Sequence, residues 1–159
     1  MRRLRIALVM TNLAGGGAEK AMLKIADALA GAGHQVHIVL LEQSGAYAAP
    51  GHLPVHCVCD GKISKGFLGR RLAAWRLRRM IERLGGGEAF DLIVSTLPFA
   101  DEVTHLAGLA GHWCRIANTL SAELAKLAQA SPAKAQRRRQ RYRRLYEGHP
   151  LVAVSRGVA

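Results

Sequence analysis

Apolar runs of strand length alternate along this chain with stretches of helical period. The run "RIALVM" (5–10) reads as a first strand. Ala18, Ala21, Met22, Ile25, Ala26 and Leu29 follow at i, i+3, i+4, i+7, i+8 and i+11, one apolar stripe on a helix. "AGAGH" closes that helix with Gly33 suited to the cap, and "QVHIVLL" (35–41) is a second strand. A Gly- and Pro-containing surface loop over 45–54 precedes a short third strand at 55–58. From about Lys65 to Leu84 a helix carries Ala73, Leu77, Met80, Ile81 and Leu84 on one face, with Arg71, Arg76, Arg78, Arg79 and Arg83 on the other. "DLIVS" (91–95) has the continuous apolar character of a fully buried strand. A helix at about 99–110, the strand "CRIAN" (114–118), a longer helical stretch and the strand "LVAV" (151–154) complete the pattern. This alternation predicts an α/β domain with a mainly parallel sheet of about six strands and helices on both faces.

Composition narrows the class. A chain of 159 residues, half of them hydrophobic, is ample for one packed core. Its longest apolar runs, such as "IALVM" and "IVLL", fall far short of the roughly 18 to 20 residues a membrane-spanning helix needs. The basic start leads through a short apolar run into a glycine loop rather than a cleavage site, as expected of a first strand in a cytoplasmic protein. Cys57, Cys59 and Cys114 are an odd number, which argues against a disulfide framework. No second ligand pair accompanies Cys57, Cys59 and His56 at a zinc-like spacing, so buried thiols are expected and no metal. The net charge is +12, and 17 of the 23 basic residues are arginine. Such a surface seeks anions: nucleic acid, acidic lipid headgroups or phosphorylated glycans.

The candidate chemistry centres on "TNLAGGGAEKA" (11–21), where the first strand hands over to a helix. In an open parallel sheet, ligands bind at the carboxyl ends of strands. Glycines there admit positive φ and remove Cβ atoms that would hold a ligand away, and the helix N-terminus offers unpaired N–H groups. That chemistry suits a phosphate; a flexible turn without a ligand is the competing explanation. The G-x-G-x-x-G dinucleotide fingerprint and G-x-x-x-x-G-K-[ST] are both absent, and Asp27 and Glu42 are ribose partners by position only.

"RIALVMTNLAGGGAEKAMLKIADALAGAGHQVHIVLLEQ", with the later "DLIVSTLP" and "LVAVSRGVA", resembles the N-terminal half of a retaining GT-B glycosyltransferase of family 4, of the kind that builds lipopolysaccharide or other surface glycans. The resemblance implies a Rossmann-like, doubly wound domain over 1–159, one half of a GT-B fold. Its missing C-terminal partner would hold the nucleotide sugar and supply the family's paired glutamates. The strand ending "VAVS", a capping Ser155 and the first residues of a helix likewise point to a piece of a longer, two-domain protein that is inactive as this piece alone. The implied substrates are a nucleotide-diphosphate sugar donor and a glycan or lipid-linked acceptor, with no cofactor and no metal in this half.

By that resemblance Gly15, Gly16 and Gly17 approach the donor diphosphate. Where many relatives place a histidine after the fourth strand, this chain reads "STLPFADEV". Thr96 is expected to bind acceptor and Asp101 to contact a sugar hydroxyl or orient the nucleophile; a helix start stabilised by Asp101 and Glu102 is the plainer alternative. His105 is expected at the surface. Glu19, Asn118 and Thr119 are acceptor contacts on the same edge, or otherwise a helix-dipole partner, a turn and a cap. The run "RRRQRYRR" supplies Arg137, Arg138, Arg139, Arg141, Arg143 and Arg144, which with the arginine face of 71–83 form a surface for anionic lipid worth about 1 kcal/mol per basic residue. It suits a peripheral enzyme on the inner face of the cytoplasmic membrane. A non-enzymatic basic module for nucleic acid or membrane is the alternative, but the aromatics interleaved for base stacking are nearly lacking, so no specific nucleic acid is expected. A nicotinamide-dependent Rossmann enzyme is a third reading.

Overall fold

The computed structural model describes residues 2–45 and 48–154, so Ser155 and the helix start expected after it lie outside the described residues. Six strands form one sheet: β1 (Arg5–Met10), β2 (Gln35–Glu42), β3 (Val55–Cys59), β4 (Leu92–Thr96), β5 (His112–Ile116) and β6 (Leu151–Ala153). Their order is β3-β2-β1-β4-β5-β6 and every pairing is parallel. The helices are α1 (Gly17–Gly31), α2 (Phe67–Gly85), α3 (Pro98–Leu106), α4 (Leu120–Ala130) and α5 (Pro132–Tyr146). This is the doubly wound, Rossmann-like order, with its switch point between β1 and β4.

The period of two along each strand divides the core. Ile6, Leu8, Met10, Ile38 and Leu40 pack on one face with Met22 and Ala26 of α1. Ala7, Val9, Val39, Leu41 and Ile93 pack on the other with Ala73, Leu77 and Ile81 of α2 and Ala100 and Val103 of α3. Because β1 and β2 are covered on both faces, they read as nearly continuous apolar runs, interrupted within β2 by the buried His37. The α1 stripe is rotated from the expected one: Glu19, Met22 and Ala26 are buried at i, i+3 and i+7, and Ile25 is exposed. A loop rather than a helix joins β2 to β3. Trp113 shares the sheet face of Val94, Val152 shares that of Arg115, and both apolar residues are exposed.

Glycines in the left-handed region account for two shifted boundaries. Gly111 (φ 72°) ends the turn two residues earlier than expected, so β5 starts at His112. Gly108 (φ 62°) stops the helix that the pattern carried to 110, and α3 ends at Leu106. Ser131 and Pro132 split the long helical stretch into α4 and α5.

Leu97, the residue before α3, is the described non-glycine residue with positive φ (φ 72°, ψ 144°). Pro98 favours the extended ψ, and the Asp101 N–H donates to the Leu97 carbonyl at 2.9 Å to close the first turn. A leucine held there stores about 1 to 3 kcal/mol of strain. Leu97→Ala and Leu97→Gly remove the same side chain but differ in tolerance of positive φ. Urea unfolding is expected to find the glycine variant more stable by about 1 kcal/mol, against the usual order of the two residues; equal stabilities would show no strain at this position.

Candidate functional site

The carboxyl edge of the sheet gathers the β1–α1 loop, the end of β2 and the turns after β4 and β5. The first half of the glycine loop is pinned. Asn12 accepts the Ala14 N–H at 3.0 Å and donates its amide to Glu42 Oε2 at 3.2 Å, and the Leu13 N–H donates to the Ser44 carbonyl at 3.0 Å. Glu42 is buried, and its other oxygen accepts the Ile63 N–H at 2.9 Å. A carboxylate committed to two loops is not free for a ribose. Asp27 is also elsewhere, 3.0 Å from His52 on the exposed side of α1.

The three glycines have different reasons to be glycine. Gly15 has φ 117°. Gly16 caps α1, and a Cβ on it would stand 2.7 Å from Glu19 Oε2. A Cβ on Gly17 would meet nothing within 4 Å, so the fold itself does not require its absence. Glu19, in the first turn of α1, is only 9% exposed, and its Oε2 is buried with no hydrogen-bond partner. A buried carboxylate oxygen left unpaired is an acceptor whose hydrogen-bonding capacity the fold itself does not meet.

The expected residues on β4 and α3 sit deeper than the edge. Thr96 is fully buried, its hydroxyl donating to the Arg115 carbonyl at 3.2 Å. Asp101 is 1% exposed; Ser95 Oγ donates to its Oδ1 at 2.5 Å and Tyr146 Oη to its Oδ2 at 2.7 Å. In this arrangement Asp101 and Thr96 offer a substrate no direct contact. Asn118 and Thr119, by contrast, are exposed beyond the end of β5, and Thr119 caps α4 without a side-chain hydrogen bond.

Behind the edge the buried groups form a chain. His112 Nε2 lies 2.7 Å from Ser95 Oγ, and His112 Nδ1 lies 3.3 Å from His149 Nε2. One proton arrangement satisfies all of them: the Tyr146 and Ser95 hydroxyls point at Asp101, Nε2–H of neutral His112 at Ser95, and Nε2–H of His149 at His112 Nδ1. Burial raises the Asp101 carboxyl to about 6 against the two hydroxyl hydrogen bonds, and burial, with His149 and His105 nearby, lowers His112 to about 4. Burial and then Asp101 push the Cys114 thiol up to about 12 and hold the Tyr146 hydroxyl above its usual range.

Among the described residues, His112, Cys114 and His149 have ligand atoms within 4.8 Å of one another. One ion can take only one nitrogen of a ring, yet Cys114 stands 3.6 Å from His112 Nε2 while His149 faces Nδ1. The Ser95 hydroxyl, 3.9 Å from Cys114 Sγ, also lies on the Nε2 side, so these atoms already serve the hydrogen-bonded chain. Cys57 and Cys59 are half-buried rather than buried; His56 pairs with His37 at 3.0 Å, and Arg76 reaches Cys59 Sγ at 3.4 Å. His105 is exposed, its ring 4.7 Å from that of His149.

The arginines of α5 are not six free charges. Arg138 pairs with Glu123 at 3.0 Å, Arg141 with Glu102 at 2.5 Å and Arg143 with Glu147 at 3.8 Å. Arg137, Arg139 and Arg144 lack an acidic partner among the described residues.

A Rossmann-like sheet whose switch point carries a glycine loop and a helix N-terminus defines a nucleotide- or phosphate-handling class of fold. Residues 15–159 match the model of Glycosyltransferase Family 4, and the chain belongs to that family. Among solved structures it is similar to the crystal structure of Acinetobacter baumannii MurG, with 15% identity, a TM-score of 0.53, and coverage of 77% of this chain and 39% of that one. The crystal structure of LpCGTa in complex with UDP overlaps less, with a TM-score of 0.39, 12% identity and coverage of 70% of this chain and 30% of that one. At the first of these identities the likeness is one of fold, and this chain spans well under half the length of either structure. No curated protein matches.

The buried chain makes a pH prediction. Asp101, raised to about 6 from 3.8, holds its proton more tightly in the folded state, so its contribution to stability falls as pH rises through that window. His112, lowered to about 4 from 6.5, binds its proton more tightly when unfolded, so its contribution grows as pH rises from 4 to 6.5. The two oppose each other. Relative to the parent, Asp101→Asn is expected to make stability climb more steeply with pH over that range, and His112→Gln to make it climb less or fall. Urea midpoints at several pH values read this; slopes shifted in the same direction would overturn it.

Proposed function

We propose that this chain is the acceptor-side, N-terminal domain of a retaining glycosyltransferase that uses a nucleotide-diphosphate sugar and builds a cell-envelope glycan such as lipopolysaccharide. Membership of the family supports transfer of a sugar. The observation that carries the assignment to this edge is the loop itself: Gly17 at the first position of α1, where a Cβ would meet no further atom within 4 Å, beside the unpaired Oε2 of buried Glu19.

In this reading a second domain holds the nucleotide and faces the carboxyl edge of the sheet. The backbone of Gly15, Gly16 and Gly17 approaches the diphosphate, and the N–H groups of the first turn of α1 stabilise charge developing on the leaving group. Glu19 accepts a hydrogen bond from a hydroxyl of the acceptor, and exposed Asn118 and Thr119 contribute further acceptor contacts. Thr96 and Asp101 act as positioning residues: they fix β4, α3 and the Leu97 turn without touching substrate. The acceptor hydroxyl then attacks the anomeric carbon on the face from which the nucleoside diphosphate departs with its bonding electrons, and the hydroxyl proton passes to the departing phosphate oxygen, so that the configuration is retained. The unpaired arginines of α5 face an anionic, lipid-linked acceptor or the inner leaflet that carries it.

Gly17→Val is the decisive substitution, because a Cβ at this position meets nothing of the folded chain within 4 Å, whereas a ligand lying on the backbone would collide with it. With the full-length protein and a panel of nucleotide sugars, release of nucleoside diphosphate is expected to drop at least about 100-fold in this variant, with thermal stability close to the parent's. Glu19→Gln should raise the acceptor KM and leave the donor KM alone. Unchanged turnover in Gly17→Val, or no nucleotide sugar consumed by the parent, would sink the reading.

A further inference from the structure

The outer face of α2 is apolar where a surface helix is ordinarily polar. Phe67, Leu68, Leu72 and Trp75 are 68%, 79%, 48% and 57% exposed. Leu68, Leu72, Trp75 and Arg79 recur at i, i+4, i+7 and i+11, so they form one ridge, opposite the buried stripe of Ala73, Leu77 and Ile81. Arg71 and Arg78 run along one side of the ridge, and Arg76 and Arg83 along the other. The Arg71 guanidinium stands 4.9 Å from the centre of the Phe67 ring, and that of Arg79 stands 5.5 Å from Trp75. Over its length α2 carries six arginines and one acidic residue, Glu82, which pairs with Arg78 at 2.9 Å. Single apolar residues on a surface are ordinary, but a contiguous ridge of them marks a place where something docks.

We infer that α2 is an interfacial membrane helix. Leu68, Leu72, Trp75 and Phe67 enter the boundary between headgroups and acyl chains of an anionic bilayer, and the arginines on both flanks meet lipid phosphates. Charge complementarity selects the occupant: a ridge flanked on both sides by cations fits a surface that is apolar within and negative at its rim. No described helix is long and apolar enough to cross a membrane, and α2 lies along the surface. Nucleic acid fits less well, because it would set Leu68 and Leu72 against a charged backbone. The helix starts beyond the end of β3, at the same sheet edge as the glycine loop, so docking holds that edge close to the lipid. This inference goes beyond the transferase reading and is tested without a nucleotide sugar.

The test is co-sedimentation of the intact chain with vesicles of phosphatidylcholine alone, or of three parts phosphatidylcholine to one part phosphatidylglycerol. The parent is expected to bind the mixed vesicles, and the triple variant Leu68→Ser, Leu72→Ser, Trp75→Ser to bind at least tenfold more weakly. A comparison variant, Arg137→Gln, Arg139→Gln, Arg144→Gln, is expected to lose less. Independently of any loss of folding, Trp113→Phe leaves Trp75 as the sole tryptophan of this chain, and lipids brominated on the acyl chains should quench its fluorescence. Equal binding by the parent and the ridge variant, or the absence of quenching, would overturn the inference. So would a preference of the parent for duplex DNA over vesicles, or self-association that the ridge variant abolishes without any vesicle binding.

Discussion

Glu42 closes β2 with a buried carboxylate held by Asn12 on one side and by the Ile63 backbone on the other. A charge taken out of water costs several kcal/mol unless it is paired or hydrogen-bonded, and here both bonds come from loops rather than from the sheet. The Glu42 N–H also donates to the Thr11 carbonyl at 2.8 Å, and the Gln43 N–H to the Cys59 carbonyl at 3.0 Å, so the ladder runs on past the ends of the strands. One side chain thereby fixes the glycine loop relative to the segment that leads into α2. The placement of the candidate phosphate-facing backbone and of the helix with the exposed apolar ridge both depend on it.

The switch point is asymmetric. On the β1 side the loop ends in glycines, an empty space above Gly17 and an unpaired carboxylate oxygen. On the β4 side the polar groups are satisfied internally: Ser95, Asp101, His112, Tyr146 and His149 tie β4, α3, β5 and α5 together, and Leu97 is held in a costly conformation above them. An internally satisfied wall thus stands opposite an open loop.

Much of this was legible in the chain itself. Strands buried on both faces announce themselves as apolar runs, and the glycines at 15–17 mark the handover to α1, where Gly15 takes a positive φ. What stayed hidden depends on distant partners. An acid in the first turn of a helix reads as a dipole partner or a ligand; that Asp101 is buried follows from Tyr146, 45 residues further on. Arg141 looks like a surface charge until Glu102, 39 residues earlier, is placed against it. Thr96 ends a strand in sequence, yet its hydroxyl is taken by Arg115 of the neighbouring strand. The alternation in "DLIVST" gives the one local clue, since Ser95 falls on the same face as buried Ile93.

The strand order also sets a timetable for the growing chain. β1 pairs with β2 about 30 residues downstream, but its other edge waits for β4, which is complete only at Thr96. Between the end of β2 at Glu42 and that point, a ribosome adding about 5 to 20 residues per second takes roughly 3 to 10 s. For that interval β1, buried along nearly its whole length in the finished fold, has an unpaired edge, with the core face that later receives α3 still bare. The centre of the sheet is therefore the last part of its first half to be protected, and a nascent chain stalled before β4 presents a sticky edge to any chaperone, or any other strand, within reach.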